Sequence, residues 1–355
     1  MKAVQTQNPA SALLRDSRVK TLIALLVGLV LILIYINTAI KFPVFVKFFI
    51  NGLVESAILF LMASGLSLIF GLMDVVNFAH GAIFTWGGFA FIWALNLFTT
   101  PAASAKDKTS PLAWMQMGLD PLPATLLALL VGLLVGALLG ALLEILAIRR
   151  LYGRPVFQIL LTLGLVLVLD ESLKIVFSLA APTYGFQNDP WPGKGFRPTP
   201  DILVNWKSVA IVVVGLIVFF GVFWLLNRTK VGLVIRGGVE DTAMVQALGY
   251  NVKRYFFGVF ILGSILAALG GIAYSVSSNG GSEGMGQVSL LTAFVVVVIG
   301  GMGSFGGAAV GALLVGLITP YIGYHFPALA DSYVMLLLVL VLLIRPQGLF
   351  GGKKF

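Results

Sequence analysis

The chain has no cysteine among its 355 residues and only two histidines, His80 and His325. The first absence excludes disulfides, thiolate metal ligands and cysteine nucleophiles. The second leaves two widely separated imidazoles, a poor basis for a zinc site. Charge is also scarce. Asp, Glu, Lys and Arg make up 10% of the chain, against about 25% in a soluble domain. No His-Glu-x-x-His pattern occurs, so an intramembrane metalloenzyme has no catalytic constellation to rest on. What is present in excess is apolar: 59% of residues, with a mean hydropathy of +1.02.

The apolar residues come in runs long enough to cross a bilayer, which takes roughly 20 residues per helix. Ten such segments can be drawn, near 21–40, 48–70, 80–98, 123–147, 157–180, 208–227, 255–278, 288–301, 304–324 and 330–344. The eighth is too short for a straight, full-thickness helix. Backbone in lipid must satisfy its own hydrogen bonds, and runs of this length do so as helices. The expected fold is therefore an all-α, polytopic transmembrane bundle of about ten spans with some broken or short helices. Thr21–Ile40 is longer than a signal-peptide core and lacks a cleavage site, so it reads as a retained first span.

The formal net charge is +9, and its distribution suggests topology rather than nucleic-acid binding. With the N-terminus inside and the spans alternating, fifteen of the 23 Lys and Arg residues fall in inner segments and seven in outer ones; Lys174 lies within a span. That asymmetry places both termini in the cytoplasm. The organisation expected is a cytoplasmic segment 1–20, a membrane domain 21–345 containing a cytoplasmic loop 228–254, and a cytoplasmic tail 346–355. The two longest outer loops, Thr99–Pro123 and Ala181–Lys207, are proline-rich and read as irregular.

Four groups of residues stand out. The loop 228–254 contains a short helix with an apolar face: Val239, Met244, Val245 and Leu248. Gly237 and Gly238 suggest a turn before it, Glu240 and Asp241 a favourable N-terminus, and Gly249 its stop. Such a face is covered either by a partner's groove or by the membrane surface.

Within the spans, charges are costly and default to functional hypotheses. Asp170, Glu171 and Lys174 lie on one turn, and Asp170 and Lys174 are spaced to pair. Such a cluster reads as a neutralised pair or as a proton relay. Glu55 lies about two turns into the second segment, lining a path or sitting in outer-leaflet water.

Asn77 and His80, with Gly81, sit at a span junction, either satisfying freed backbone groups or forming a gate. Lastly, Gly300, Gly301, Gly303 and their neighbours interrupt an apolar run. They lack the Gly-Lys-Ser/Thr ending of a nucleotide loop, and they suit close packing or a broken helix on a substrate path.

Taken in order, these stretches resemble the permease subunits of high-affinity branched-chain amino-acid ABC importers, the Liv type. Asn51-Gly52 opens a span. Asn77-Phe78-Ala79-His80-Gly81 is similar to the family's signature. Arg236–Gly249 resembles the ATPase-contacting loop. Gly300–Gly311, followed by Arg345-Pro346-Gln347-Gly348, resembles the C-terminal glycine-rich segment and tail. The match runs from about residue 48 to 351. Two departures are Ala82, where many members carry an acid, and the acidic pair Asp170-Glu171.

The resemblance implies that Arg236, Gly237, Glu240, Asp241, Leu248 and Gly249 couple to an ATPase, and that this chain is a transport subunit rather than an enzyme. It further implies two ATPase subunits holding ATP and Mg, a second homologous permease and a periplasmic solute-binding protein. No cofactor is expected on this chain, and no nucleic acid. The location implied is the bacterial inner membrane. The rival reading is an ion-coupled secondary transporter or channel acting through Asp170, Glu171 and Lys174.

Overall fold

The computed structural model describes residues 42–73, 75–100, 117–177, 183–186, 195–330 and 332–350. The segment 1–20, the first expected span at 21–40, most of the loop 99–123 and the last tail residues lie outside them. Eleven helices carry the described chain. They are α1 (Phe42–Met73), α2 (His80–Thr99), α3 (Pro121–Leu146), α4 (Pro155–Val176), α5 (Trp206–Arg228), α6 (Lys230–Glu240), α7 (Thr242–Ala247), α8 (Val252–Ser278), α9 (Met285–Gly300), α10 (Phe305–His325) and α11 (Tyr333–Ile344).

Each of the nine expected segments after the first has its helix. Six of the described helices are long and apolar enough to cross a membrane: α1, α2, α3 with the 3-10 turn Ile148–Leu151, α5, α8 and α10. The remaining apolar helices differ from full spans in specific ways. α4 has 22 residues but carries three charges. α9 has 16 residues and α11 has 12, or about 24 and 18 Å at 1.5 Å per residue.

Where it is described, the loop 181–207 is less irregular than the sequence suggests. Short strands β1 (Thr183–Gly185), β2 (Phe196–Thr199), β3 (Ile202–Val204) and β4 (Gly280–Ser282) form two antiparallel ribbons, β1 with β4 and β2 with β3. One end of the bundle, here the strand end, holds these ribbons. The other, the basic end, holds α6, α7 and the turn after α3, with Arg149, Arg150, Arg154, Arg228, Lys230, Arg236, Lys253 and Arg254.

α1 lies at the centre, packed most extensively on α10 and α8, while α2 and α3 close the opposite side of α8. Lipid offers no hydrophobic drive to bring helices together, so close packing of small residues takes its place. α3 shows this on its two faces. Ala124, Ala128, Gly132, Gly136 and Gly140 recur every fourth residue and are buried. Gly136 leaves room for Ala268 and Gly140 for Ser264, both on α8. Leu122, Leu126, Leu130, Leu134 and Leu138 recur on the other face and are exposed. The outer surface of a membrane bundle has this form, apolar where a soluble protein would be charged.

Candidate functional site

The basic end presents a rigid apolar platform. Helix α6 begins at Thr229, whose hydroxyl accepts from Gly232 N at 3.3 Å. It runs straight through Gly237 and Gly238, where the sequence suggested a turn. The two glycines instead make space: a Cβ at Gly237 would stand 3.2 Å from Val245, and one at Gly238 3.0 Å from Val252. The break comes at Asp241, which caps α7 by accepting from Met244 N at 2.9 Å. Glu240 is therefore the last residue of α6 and not the first of the next helix.

Gly249 ends the element at φ +87°, a left-handed conformation that costs glycine little. Val234, Val245 and Val252 form a small core of their own, joined by Tyr255 and Phe256. Of the expected apolar face, Val245 is spent inside that core. Val239, Met244 and Leu248 remain exposed, the last two at 62% and 67%. Arg236 is half-buried and donates to Asn227 Oδ1 at 3.4 Å. Glu240 and Asp241 are exposed.

Two motifs that are far apart in sequence meet beneath this platform. Gly303, at φ +81°, lies against Gly71, and a Cβ on Gly303 would stand 3.0 Å from the Gly71 Cα. The tail folds back onto the end of α9, with Leu349 N donating to Ile299 O at 2.8 Å and Phe350 N to Gly300 O at 3.0 Å. Gly348 sits against Gly301, where a Cβ would stand 2.6 Å from its Cα. The residues 346–350 are thus a docked strap, with Leu349 buried.

Asn77, His80 and Gly81 are buried within the bundle. The His80 ring occupies space that Gly65 leaves open: a Cβ on Gly65 would stand 3.0 Å from the ring and close against Gly263 O. His80 Nε2 lies 3.3 Å from Met62 O, and Asn77 Oδ1 accepts from Ala79 N at 3.1 Å. Among the described residues, Asn77 Nδ2 and His80 Nδ1 have no hydrogen-bond partner. Gly81 abuts Gly286 at the start of α9, and Thr85 bridges the two: its hydroxyl donates to Gly81 O and accepts from Gly286 N.

The charged cluster of α4 is wired differently from the expected Asp170–Lys174 pair. Lys174 Nζ binds Glu171 at 3.0 Å and Glu283 at 3.5 Å. Asp170 Oδ2 accepts from Gln287 Nε2 at 2.5 Å. The physical reason is the β1–β4 ribbon, which brings the start of α9 against α4 and offers partners that helical spacing cannot reveal. These contacts tie α4 to the β4–α9 corner at the strand end.

A second polar cluster was not apparent from the sequence. Glu144, 1% exposed near the end of α3, accepts from Arg149 Nε at 3.1 Å, Arg149 Nη2 at 2.8 Å and Tyr152 Oη at 3.1 Å. The Arg149 guanidinium also lies over the Phe257 ring, 5.6 Å from its centroid. Desolvation, and then the Glu144 carboxylate, push the Tyr152 phenol well above its ordinary value, so it serves as a donor. The only signal in the sequence is an acid inside an apolar run followed five residues later by an arginine.

Among the described residues no group of three or more His, Asp or Glu could hold a metal ion.

The chain matches the family described as "Branched-chain amino acid transport system / permease component" over residues 48–344. It is 26% identical over 316 residues to the high-affinity branched-chain amino acid transport system permease protein BraD of Pseudomonas aeruginosa, covering 86% of this chain and 95% of that one. It is 24% identical over 325 residues to the permease protein LivH of Escherichia coli K12, covering 88% and 98%. A shorter match, 27% over 158 residues, joins it to the fructose import permease protein FrcC of Rhizobium meliloti, covering 43% and 42%. No solved structure matches the chain.

Proposed function

The chain belongs to the family of branched-chain amino acid transport permease components, and from that premise we propose the following division of labour. It is a transport subunit, and ATP is hydrolysed elsewhere. The permease moves a small solute, of which branched-chain or other amino acids are the class named for its full-length relatives. Two ATPase subunits, carrying ATP and Mg, dock at the basic end. A second permease completes the membrane pair, and a periplasmic binding protein delivers solute to the strand end.

In this reading the basic end is cytoplasmic. The bundle has about ten spans, including residues 21–40, with both termini inside the cell and the chain in the bacterial inner membrane. Residues 1–20 and 346–355 are the cytoplasmic ends, and 228–254 is the coupling loop within the membrane domain.

One observation carries the proposal: the exposed Val239–Met244–Leu248 face, held by its own valine core on the basic end. An apolar face of this kind, on a helix outside the membrane, suits a groove in a partner. Because α6 and α7 share that core with the start of α8, force on α7 reaches a central helix without passing through a flexible hinge. Closure of the ATPase dimer would thereby change which end of the bundle is open. A ligand biases such a switch only by binding one state better than the other.

The path would run along α1, α2, α8 and α9, past Glu55, the Asn77–His80–Gly81 junction and the Gly300–Gly303 corner. The rival, an ion-coupled transporter working alone, needs available charges in the membrane. Asp170, Glu171 and Lys174 are already engaged with Gln287, Glu283 and each other.

Purification of the tagged chain from its native membrane in mild detergent, with identification of what accompanies it, tests the reading. ATPase subunits and a second permease are expected. Glu240→Arg and Gly249→Trp should leave the chain in the membrane and abolish ATP-driven uptake. Recovery of this chain alone, with uptake driven by an ion gradient, would replace the proposal with its rival.

A further inference from the structure

Every acidic side chain inside the described spans has an ionic or hydrogen-bonded partner except one. Glu144 pairs with Arg149. Asp170, Glu171 and Lys174 form the network at the strand end. Glu55, in the middle of α1, makes no hydrogen bond and no ion pair among the described residues. Its side chain is largely buried. A charge within a membrane is costly, and one kept without a partner marks a functional position.

The rotation of α1 is fixed by its packing, so the placement of Glu55 is fixed too. Its neighbour Ser56 donates to Gly52 O at 2.6 Å and is pressed against Gly316 of α10, whose missing side chain makes the contact possible. A second polar group lies at the same depth. Gly65 and Gly263 mark the close crossing of α1 and α8. Glu55 is ten residues from that crossing along α1 and Tyr274 eleven along α8. At 1.5 Å per residue, both stand roughly 15 Å toward the strand end.

The Glu55 carboxylate interacts electrostatically with Tyr274 and with Tyr333. The Tyr333 hydroxyl is already engaged by Thr319 and Val315 O. The Tyr274 hydroxyl has no hydrogen bond among the described residues, although its ring packs edge-on against Phe84.

From this placement we propose that Glu55, assisted by the Tyr274 hydroxyl, receives the ammonium group of the solute in the strand-end half of the bundle. One carboxylate and one phenol supply acceptors for a primary ammonium. Among the described residues, no basic side chain interacts with either to hold a carboxylate. An amino acid would therefore pass with its ammonium toward α1 and α8 and its carboxylate turned away. The inference rests on the importer reading above and names the solute class as ammonium-bearing. The same acceptors could hold an inorganic cation such as sodium, and the test separates the two.

The experiment uses the complete transporter, with its ATPases, second permease and binding protein, in membrane vesicles. Uptake of labelled leucine, urea and fructose is measured alongside ATP hydrolysis stimulated by the loaded binding protein. For Glu55→Gln, a loss of about tenfold or more in leucine uptake is expected, the scale of one charge-assisted bond. Glu55→Asp should recover part of the loss, Tyr274→Phe should lose less, and the stimulated ATP hydrolysis reports whether each variant has assembled.

Wild-type leucine uptake in Glu55→Gln would overturn the inference. So would failure of that variant to assemble, which would make Glu55 a structural carboxylate. A fall in wild-type uptake when choline replaces sodium would assign the site to an inorganic cation. Transport by the wild type of urea or fructose but not leucine would overturn the inference and leave the importer standing. ATP-driven uptake of no probe would overturn both.

Discussion

At the scale of the residue, glycine substitutes for the hydrophobic effect as the agent of tight packing. Gly71 and Gly303 show the requirement most plainly, because each occupies the space a Cβ of the other would need. Gly71→Val should therefore force α1 away from the α9–α10 corner. Overpacking of this kind costs about 1–3 kcal/mol, and it falls here on the contact beneath the coupling platform. A thermal-shift assay in detergent should register lower stability, and uptake should fall in parallel. An unchanged melting temperature would mean that the corner gives way freely.

Glu144 poses the opposite problem, a buried charge whose three donors all come from Arg149 and Tyr152. Removing the acid by Glu144→Ala leaves Arg149 over Phe257 with no counter-charge, so the α3–α4 turn should loosen. Faster cleavage after Arg149 or Arg150 by trypsin added from the basic end is the measurable result, with no change at Arg228.

At the scale of the element, what could be read from the sequence followed what is periodic. The apolar runs located nine helices because lipid forces the backbone of each run to close on itself. Gly249 was legible as a stop because positive φ favours glycine. The Gly237-Gly238 pair misled for a physical reason. In a short helix packed on Val245 and Val252, the absence of two side chains has more effect than the flexibility of the backbone. The wiring of Asp170 and Lys174 was not legible either, since Gln287 and Glu283 approach only after β1 and β4 pair.

α7 is where an element-scale prediction can be made. Met244 on α7 and Leu248, the residue that ends it, are exposed and lie four apart, with Leu248 N donating to Met244 O at 3.1 Å. The valine core, not these two, holds the helix in place. Met244→Asp with Leu248→Asp should therefore leave the permease as stable as before and prevent recovery of ATPase subunits with it. Asp241→Ala removes the cap and should cost about 1 kcal/mol of local helix stability, weakening recovery without abolishing it. Full recovery of ATPase in the double aspartate variant would move the docking face elsewhere.

At the scale of the whole molecule, the structure sorts charge by end. Arg149, Arg150, Arg154, Arg228, Lys230, Arg236, Lys253, Arg254 and Arg345 gather at the basic end, while Lys47, Arg197 and Lys207 mark the strand end. Basic residues close to span ends are retained on the cytoplasmic side. The coupling platform therefore should face ATP, and the ribbons the delivered solute. Because the chain has no cysteine, single cysteines report on this without background. Asp201 lies exposed in the β2–β3 turn and Asn251 exposed before α8. In intact spheroplasts a membrane-impermeant maleimide should label Asp201→Cys and spare Asn251→Cys, and in inside-out vesicles the pattern should reverse. If Asn251→Cys labels from outside, the platform cannot reach a cytoplasmic ATPase. The Val239–Met244–Leu248 face would then have to be covered by a partner on the far side of the membrane.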